Sequence, residues 1–234
     1  MILGIIGIRV SKFLSDFFHT LIIHVEIFQD RPARFSNGFQ CSMHGIELIF
    51  DEIQSALGRL GQIYQYQEAG IVPDMLLLGK GLGNGLHIAA LLMKGQVPSE
   101  NLRYMAGGSG DLPLGCAAAC CVYEELADGK LLASVNAVGA YLRQALDSLY
   151  SRYSCIGDVR GQGVAFAVEF VTDRASKQHD FGLSEHVAAE LRRQGFLVGT
   201  WQSSIVLRPP LSLTLAQAEA FVCSLEGILG QQSG

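Results

Sequence analysis

No stretch of this sequence is long and apolar enough to span a membrane, no two cysteines form a C-x-x-C pair, and no block of like charge stands anywhere along it. From the first absence, with a start (residues 1 to 10) that lacks a basic region and a small-residue cleavage site, neither membrane insertion nor secretion is expected. The second excludes the common thiol metal sites and redox motifs, so the six cysteines (Cys41, Cys116, Cys120, Cys121, Cys155 and Cys223) are expected as reduced, buried core thiols of a cytoplasmic protein, with no metal bound. The third spreads a formal charge of -5 evenly, against nucleic acid as a partner. Internal repeats and low-complexity tracts are absent too. What remains is a 234-residue chain, 49% apolar and 17% charged, whose composition is that of a globular protein able to bury one large core or two small ones.

From Gly45 onward, short apolar runs alternate with helical patterns, the signature of a mostly parallel α/β sheet with flanking helices. Strands are expected at 46–50 (IELIF), 74–78 (DMLLL) and 88–93 (IAALLM), with a short helix at 62–69. Runs that are apolar throughout read as strands covered on both faces, whose carboxyl ends open into a crevice. A helix is expected from Pro113 to about 127 and another from 131 to about 150. Strands near 164–171 and 196–201, with helices at 183–194 and 215–229, then suggest a smaller α+β domain. Residues 1–42 show no clear period and receive no role, which leaves a large-domain part at 43–127 and a small domain at 128–234.

Two acid and lysine segments carry the chemistry: LIFDEIQSALGRLG at 48–61 and LLLGKGLGNG at 76–85. Alone, an acid after a strand is a helix cap or an ion-pair member, and a lysine among glycines is a solvated or anion-binding loop residue. Together, Asp51 and Lys80 leave neighbouring parallel strands at one sheet edge, where a planar ligand could meet both. Pyridoxal phosphate needs such a pair: an amine to bond its aldehyde and a carboxylate to keep its ring nitrogen protonated. The lysine must first lose its proton, which desolvation and nearby positive charge favour. Glycines at 79, 81, 83 and 85 would let the backbone pass close to a ring.

These segments resemble the class III (ω-amino acid) aminotransferases of the fold-type I pyridoxal-phosphate enzymes, in D-E-I-Q at 51–54, G-R-L-G at 58–61, P-D at 73–74 and G-K-G-L-G-N-G at 79–85. The likeness continues through SGDLPLGCAAA at 109–119 and RGQGVAFAVEF at 160–170 to LRPPLSLT at 207–214, so it covers about 44–230. It implies a partial fold-type I large domain with a small carboxyl-terminal domain, pyridoxal 5'-phosphate as cofactor, and a homodimer with its active site across the interface. Residue by residue, it implies Lys80 as the Schiff-base lysine and proton shuttle, Asp51 as the partner of the pyridine nitrogen, Gln54 beside the phenolic oxygen, and Glu52 behind them.

Where the family places a phosphate-binding threonine, this chain has Gly108 followed by Ser109, and Ser109 is the substitute expected. His87 replaces a usual proline and reads as a packed or solvent-facing residue. Arg208, a few residues past the family's usual position, is either a clamp on the substrate carboxylate or a structural ion pair. Arg160 and Glu169 are expected to be structural.

Family members are longer at the amino end, where a phosphate cup and a ring-stacking aromatic residue are supplied. The chain is therefore expected to be an amino-terminally truncated form with open sheet edges. The implied reaction moves an amino group from an ω-amino acid or similar amine donor to a 2-oxo acid. The alternatives are a decarboxylase, racemase or aminomutase outcome on the same cofactor, and an inactive remnant.

Overall fold

A computed structural model describes residues 8–11, 20–25, 41, 44–95 and 113–232, and contacts divide the chain into Met1–Lys130 and Leu131–Gly234. The first unit holds a five-stranded sheet in sequential order. Its strands are β1 (Ile8–Ser11), β2 (Thr20–Val25), β3 (Glu47–Asp51), β4 (Met75–Leu78) and β5 (Ala90–Met93). The pairs β2–β3 and β3–β4 are parallel, whereas β1–β2 and β4–β5 are antiparallel. The segment to which the sequence assigned no role thus contributes two strands, and β5 runs against its neighbour where a parallel strand was expected.

On β3 and β4, side chains alternate between buried and half-buried, as strand geometry requires. Leu48, Phe50, Leu76 and Leu78 form the buried set, each contributing about 1.5–3 kcal/mol by leaving water. The opposite face is only partly covered, and on β5 both Leu91 and Leu92 are exposed, so the expectation of strands buried on both faces does not hold there. Asp74, at the amino end of β4, locks that strand to β3. Its Oδ2 accepts the Leu48 N–H (2.9 Å), its own N–H reaches the Leu48 carbonyl (2.8 Å), and Lys94 Nζ lies 3.1 Å from Oδ1. Burial pushes the Asp74 carboxyl up, but the Leu48 N–H and Lys94 outweigh it and hold its pKa below the ordinary value.

Between β3 and β4 lies a compact turn and a short helix, α1 (Gln65–Ala69). It starts three residues later than the apolar pattern suggested, because the Gln62 and Ile63 carbonyls accept the Gly58 and Leu57 N–H groups and close the turn first. Helix α2 (Pro113–Ala127) begins at a proline, whose missing N–H costs nothing at a first helical position. Gly115 on α2 packs on the loop after the lysine: a Cβ there would lie 3.1 Å from the His87 carbonyl oxygen.

The second unit is an antiparallel sheet ordered β6 (Ile156–Gln162), β7 (Ala165–Asp173), β10 (Ser204–Leu207), β9 (Gly199–Trp201), with β8 (Gln178–His179) paired to β7. Helices α3 (Lys130–Arg152), α4 (Phe181–Arg193) and α5 (Leu215–Gln232) supply the rest. On α3, buried Val135, Val138, Leu142, Leu146 and Leu149 fall at three- and four-residue steps, one apolar stripe of a helix. With Phe166, Val168 and Phe170 of β7, Leu191 of α4 and Leu225 of α5 they form one continuous core.

The helix starts are specified locally. Asp180 Oδ1 accepts the Leu183 N–H (2.8 Å), and Thr214 and Gln217 bond each other's backbone N–H groups in a capping box, so the end of LRPPLSLT serves to begin α5. The motif glycines are equally structural. A Cβ on Gly139 would lie 2.4 Å from the Gly163 carbonyl oxygen, so α3 rests directly on the RGQG turn. Arg160 pairs with Asp158 (2.8 Å) and Glu169.

No helix among the described residues is long and apolar enough to cross a membrane. The cysteines depart from the expected burial. All six are free thiols, but Cys116, Cys120, Cys121 and Cys223 are exposed and only Cys41 is buried. The reason is composition: an Ala/Cys helix such as α2 is apolar all round, so its sequence does not mark which face is covered. Burial raises the thiol pKa of Cys41 and of half-buried Cys155.

Candidate active site

The parallel pairing of β3 and β4 sets the site. Their register places Asp51, the last residue of β3, beside Leu77 of β4, so the chain needs only three more residues to reach Lys80 at the same sheet end. The two functional groups foreseen from their motifs therefore leave adjacent strands at their carboxyl ends, where loops are free to carry chemistry.

Lys80 opens a 3-10 turn, Lys80–Gly83, and is exposed. Its φ is +46°, in the left-handed region that non-glycine residues seldom occupy. Holding a lysine there costs about 1–2 kcal/mol, which its surroundings must supply. They do so by packing. A Cβ on Gly79 would sit 3.4 Å from Ile53 Cγ2, one on Gly81 3.8 Å from Leu57 Cδ1, and one on Gly83 2.8 Å from Ile88 Cγ2. Of these three, only Gly83 is a glycine that protein packing demands; a methyl at 79 or 81 would meet an ordinary contact. Gly85, at φ +106°, is a glycine for its backbone shape.

Asp51 is half-buried, and its Oδ1 accepts the Ile53 N–H at 3.1 Å, which turns the chain immediately after β3. Gln54 is exposed on that same turn. Glu52 is 1% exposed and was not singled out from its motif as an anchor. Its Oε2 accepts the Gln65 N–H (2.7 Å) and its Oε1 the Tyr66 N–H (2.8 Å), capping α1 from a distance. Burial raises the Glu52 pKa and those two hydrogen bonds counter it in part.

Tyr64 and Tyr123 also escaped the sequence reading. Their hydroxyls are 2.6 Å apart and tie α2 to the start of α1, and burial with that bond pushes the Tyr64 hydroxyl pKa up. No pattern in the sequence links residues 59 positions apart, so nothing there could have revealed the pair.

Of the other foreseen residues, Ser109 lies outside the described residues, as does Gly108. His87 is exposed in the loop beneath Gly115. Arg208 is exposed directly after β10, in the second unit. The structure thus brings Asp51, Gln54 and Lys80 to one sheet end. An amine and a half-buried carboxylate on neighbouring strands fit the two polar ends of pyridoxal phosphate, its aldehyde and its ring nitrogen. Among the described residues no group of three or more His, Cys, Asp or Glu side chains is arranged to hold a metal ion.

Comparison with known proteins agrees with this arrangement. The sequence matches the Aminotransferase class-III family over residues 35–229. The chain is 33% identical over 189 residues to a (R)-1-hydroxy-2-aminoethylphosphonate ammonia-lyase of Vibrio splendidus, covering 80% of this chain and 40% of that enzyme. It is 39% identical over 135 residues to an acetylornithine aminotransferase of Clostridium acetobutylicum, covering 57% and 35%. The fold superposes on an amine transaminase from an uncultivated Pseudomonas species, solved with pyridoxal phosphate bound, with a TM-score of 0.78 and 31% identity, covering 89% of this chain and 51% of that one. The chain therefore spans about 40% of the length of the curated relatives it matches and about half that of this solved transaminase.

Proposed function

The chain belongs to the class III aminotransferase family, whose cofactor is pyridoxal 5'-phosphate, and we propose that it carries the lysine and carboxylate of a transaminase that moves an amino group from an ω-amino acid or similar amine to a 2-oxo acid. One observation carries this reading: an exposed lysine, held at φ +46°, one parallel strand away from a half-buried aspartate. When bound, the cofactor supplies an electron sink for the bonds around the amine-bearing carbon.

The chain's own residues supply the rest. With the cofactor bound, Lys80 Nζ would hold its aldehyde end and would take and return the proton of the donor carbon. The Asp51 carboxylate would keep the ring nitrogen protonated, the condition for the ring to accept electrons. Gln54 would hold the ring oxygen and Ser109 the phosphate. Arg208, in the second unit, would bind a substrate carboxylate or serve in a structural ion pair. The working form is a cytoplasmic homodimer.

A second outcome on the same groups, elimination in place of transfer, is favoured by the ammonia-lyase relative; racemisation, decarboxylation and an aminomutase reaction are further outcomes that the same groups allow. A third reading is an inactive remnant that keeps these residues without the chemistry. The test is an absorbance spectrum of the protein with pyridoxal phosphate, before and after borohydride, with mass spectrometry of the Lys80 peptide. A phosphopyridoxyl mass on Lys80, absent in Lys80→Ala, supports the site; no adduct in folded protein means a remnant. Given the adduct, incubation of an ω-amine with pyruvate or 2-oxoglutarate separates the outcomes, since only transfer converts the 2-oxo acid to its amino acid.

A further inference from the structure

Glu52 is the most buried charged side chain near the site, and neither of the chemical roles above uses it. Three ties meet at this one residue. Its N–H donates to the Leu77 carbonyl of β4 (3.0 Å), its carbonyl accepts the Ala56 N–H (3.1 Å), and its carboxylate accepts both the Gln65 and the Tyr66 N–H groups of α1. The turn from 53 to 63 is thereby pinned at its start to β4 and at its far end to the residue where it began. That turn carries Ile53 and Leu57, whose methyl groups lie 3.4 and 3.8 Å from where a Cβ on Gly79 and on Gly81, either side of Lys80, would stand.

We propose that Glu52 is a positioning residue for Lys80: by anchoring the turn whose Ile53 and Leu57 back the lysine's two flanking glycines, it holds Lys80 in its left-handed conformation. This rests on reading Lys80 as the reactive amine. The chemistry of the anchor is specific to a carboxylate. Two N–H donors converge on two oxygens, which a carboxylate satisfies fully, whereas an amide offers one oxygen and turns its NH2 against the second donor. Releasing the anchor frees the turn, and a lysine no longer backed on both sides relaxes to negative φ and carries its amine away from the Asp51 side.

The test reads the lysine turn directly, without cofactor, by hydrogen exchange of the peptide covering 79–83 in Glu52→Gln, Glu52→Ala and Ile53→Ala. Gln67→Ala serves as a control that loosens α1 by removing the acceptor of the Tyr64 N–H while leaving Glu52 in place. The expected result is at least tenfold faster exchange at 79–83 in all three variants and none in the control, together with a severalfold slower rate of adduct formation between pyridoxal phosphate and Lys80. Ile53→Ala keeps the result readable if the Glu52 variants do not fold. Loss of protection confined to 65–67, with 79–83 unchanged, would overturn the proposal by showing Glu52 to be a helix cap and nothing more. If the parent protein forms no Lys80 adduct, the functional reading fails, while the exchange result still decides the positioning role.

Discussion

The second unit gathers its buried residues into one continuous core with no buried polar side chain left unpaired among the described residues, and the first unit, which holds the candidate site, leaves a buried hydroxyl without a partner. In the second, Leu146, Leu149, Phe170, Leu191 and Leu225 belong to one core, and buried Ser184 and Ser203 bond the Phe181 carbonyl and His179. Both units leave large apolar side chains exposed, Leu91, Leu92 and Leu114 in the first and Leu197 and Trp201 in the second, but only in the first is a buried hydroxyl, that of Ser55, without a partner among the described residues. A site presented at a sheet end depends on what is packed around it. The candidate site therefore sits in the unit whose buried polar groups are less completely paired.

The strongest way to break this comparison is to remove the same kind of atoms from each unit. Leu146→Ala should cost about 2–5 kcal/mol through lost transfer energy and the cavity left behind, read from the denaturant midpoint. Leu92→Ser, on an exposed strand face, should stay within about 0.5 kcal/mol. Equal losses would mean that Leu92 is covered in the protein in solution.

Adding atoms sharpens it next. Gly139→Ala drives a methyl into the Gly163 backbone, with backbone on both sides and nothing able to yield, and should cost about 1–3 kcal/mol in thermal unfolding. Gly79→Ala meets only an ordinary contact with Ile53 and should leave stability nearly unchanged.

Buried hydroxyls give a smaller contrast. Ser184→Ala should lose about 1 kcal/mol with its hydrogen bonds, whereas Ser55→Ala removes an unpaired group and should be neutral or stabilising by a similar amount. A loss at Ser55 equal to that at Ser184 would show that its hydroxyl is satisfied.

Acid titration gives the smallest effect, within the first unit alone. The Asp74 pKa is lowered on folding, so its contribution to stability is present above its ordinary 3.8 and is lost as pH falls through the lower folded value. The Glu52 pKa is raised, so its contribution is present below its ordinary 4.5 and is lost as pH rises through the folded value. The Asp74 contribution should therefore appear as protection factors across β3 and β4, corrected for the intrinsic pH dependence of amide exchange, that fall below pH 3.8 more in the parent protein than in Asp74→Asn.

Periodicity alone made the long elements legible. The stripes of α3, α4 and α5 lie on one face at helical spacing, and the structure places them within a few residues of their expected bounds. β6 and β10 were not foreseen, because IGDVRGQ mixes polar residues and glycines, and SIVL is too short to show a period. The direction of β5 was out of reach for a different reason: an apolar run reads the same whichever way the strand is laid. Asp51, Gln54 and Lys80 were legible through their motifs and strand context, and the register of β3 with β4 brings them to one sheet end.

By itself, then, the sequence determined the family and the order of its helices, and it pointed to Asp51 and Lys80 as the pair on which pyridoxal phosphate chemistry would turn, since each is written in local spacing and in residue types that this chemistry requires. Only tertiary structure decided that Gly83 of the lysine loop fits against Ile88, that most of the cysteines face outward, and that Glu52 ties the turn beside Lys80. Those outcomes depend on which surfaces meet across tens of residues, and contact between distant segments leaves no period in the chain.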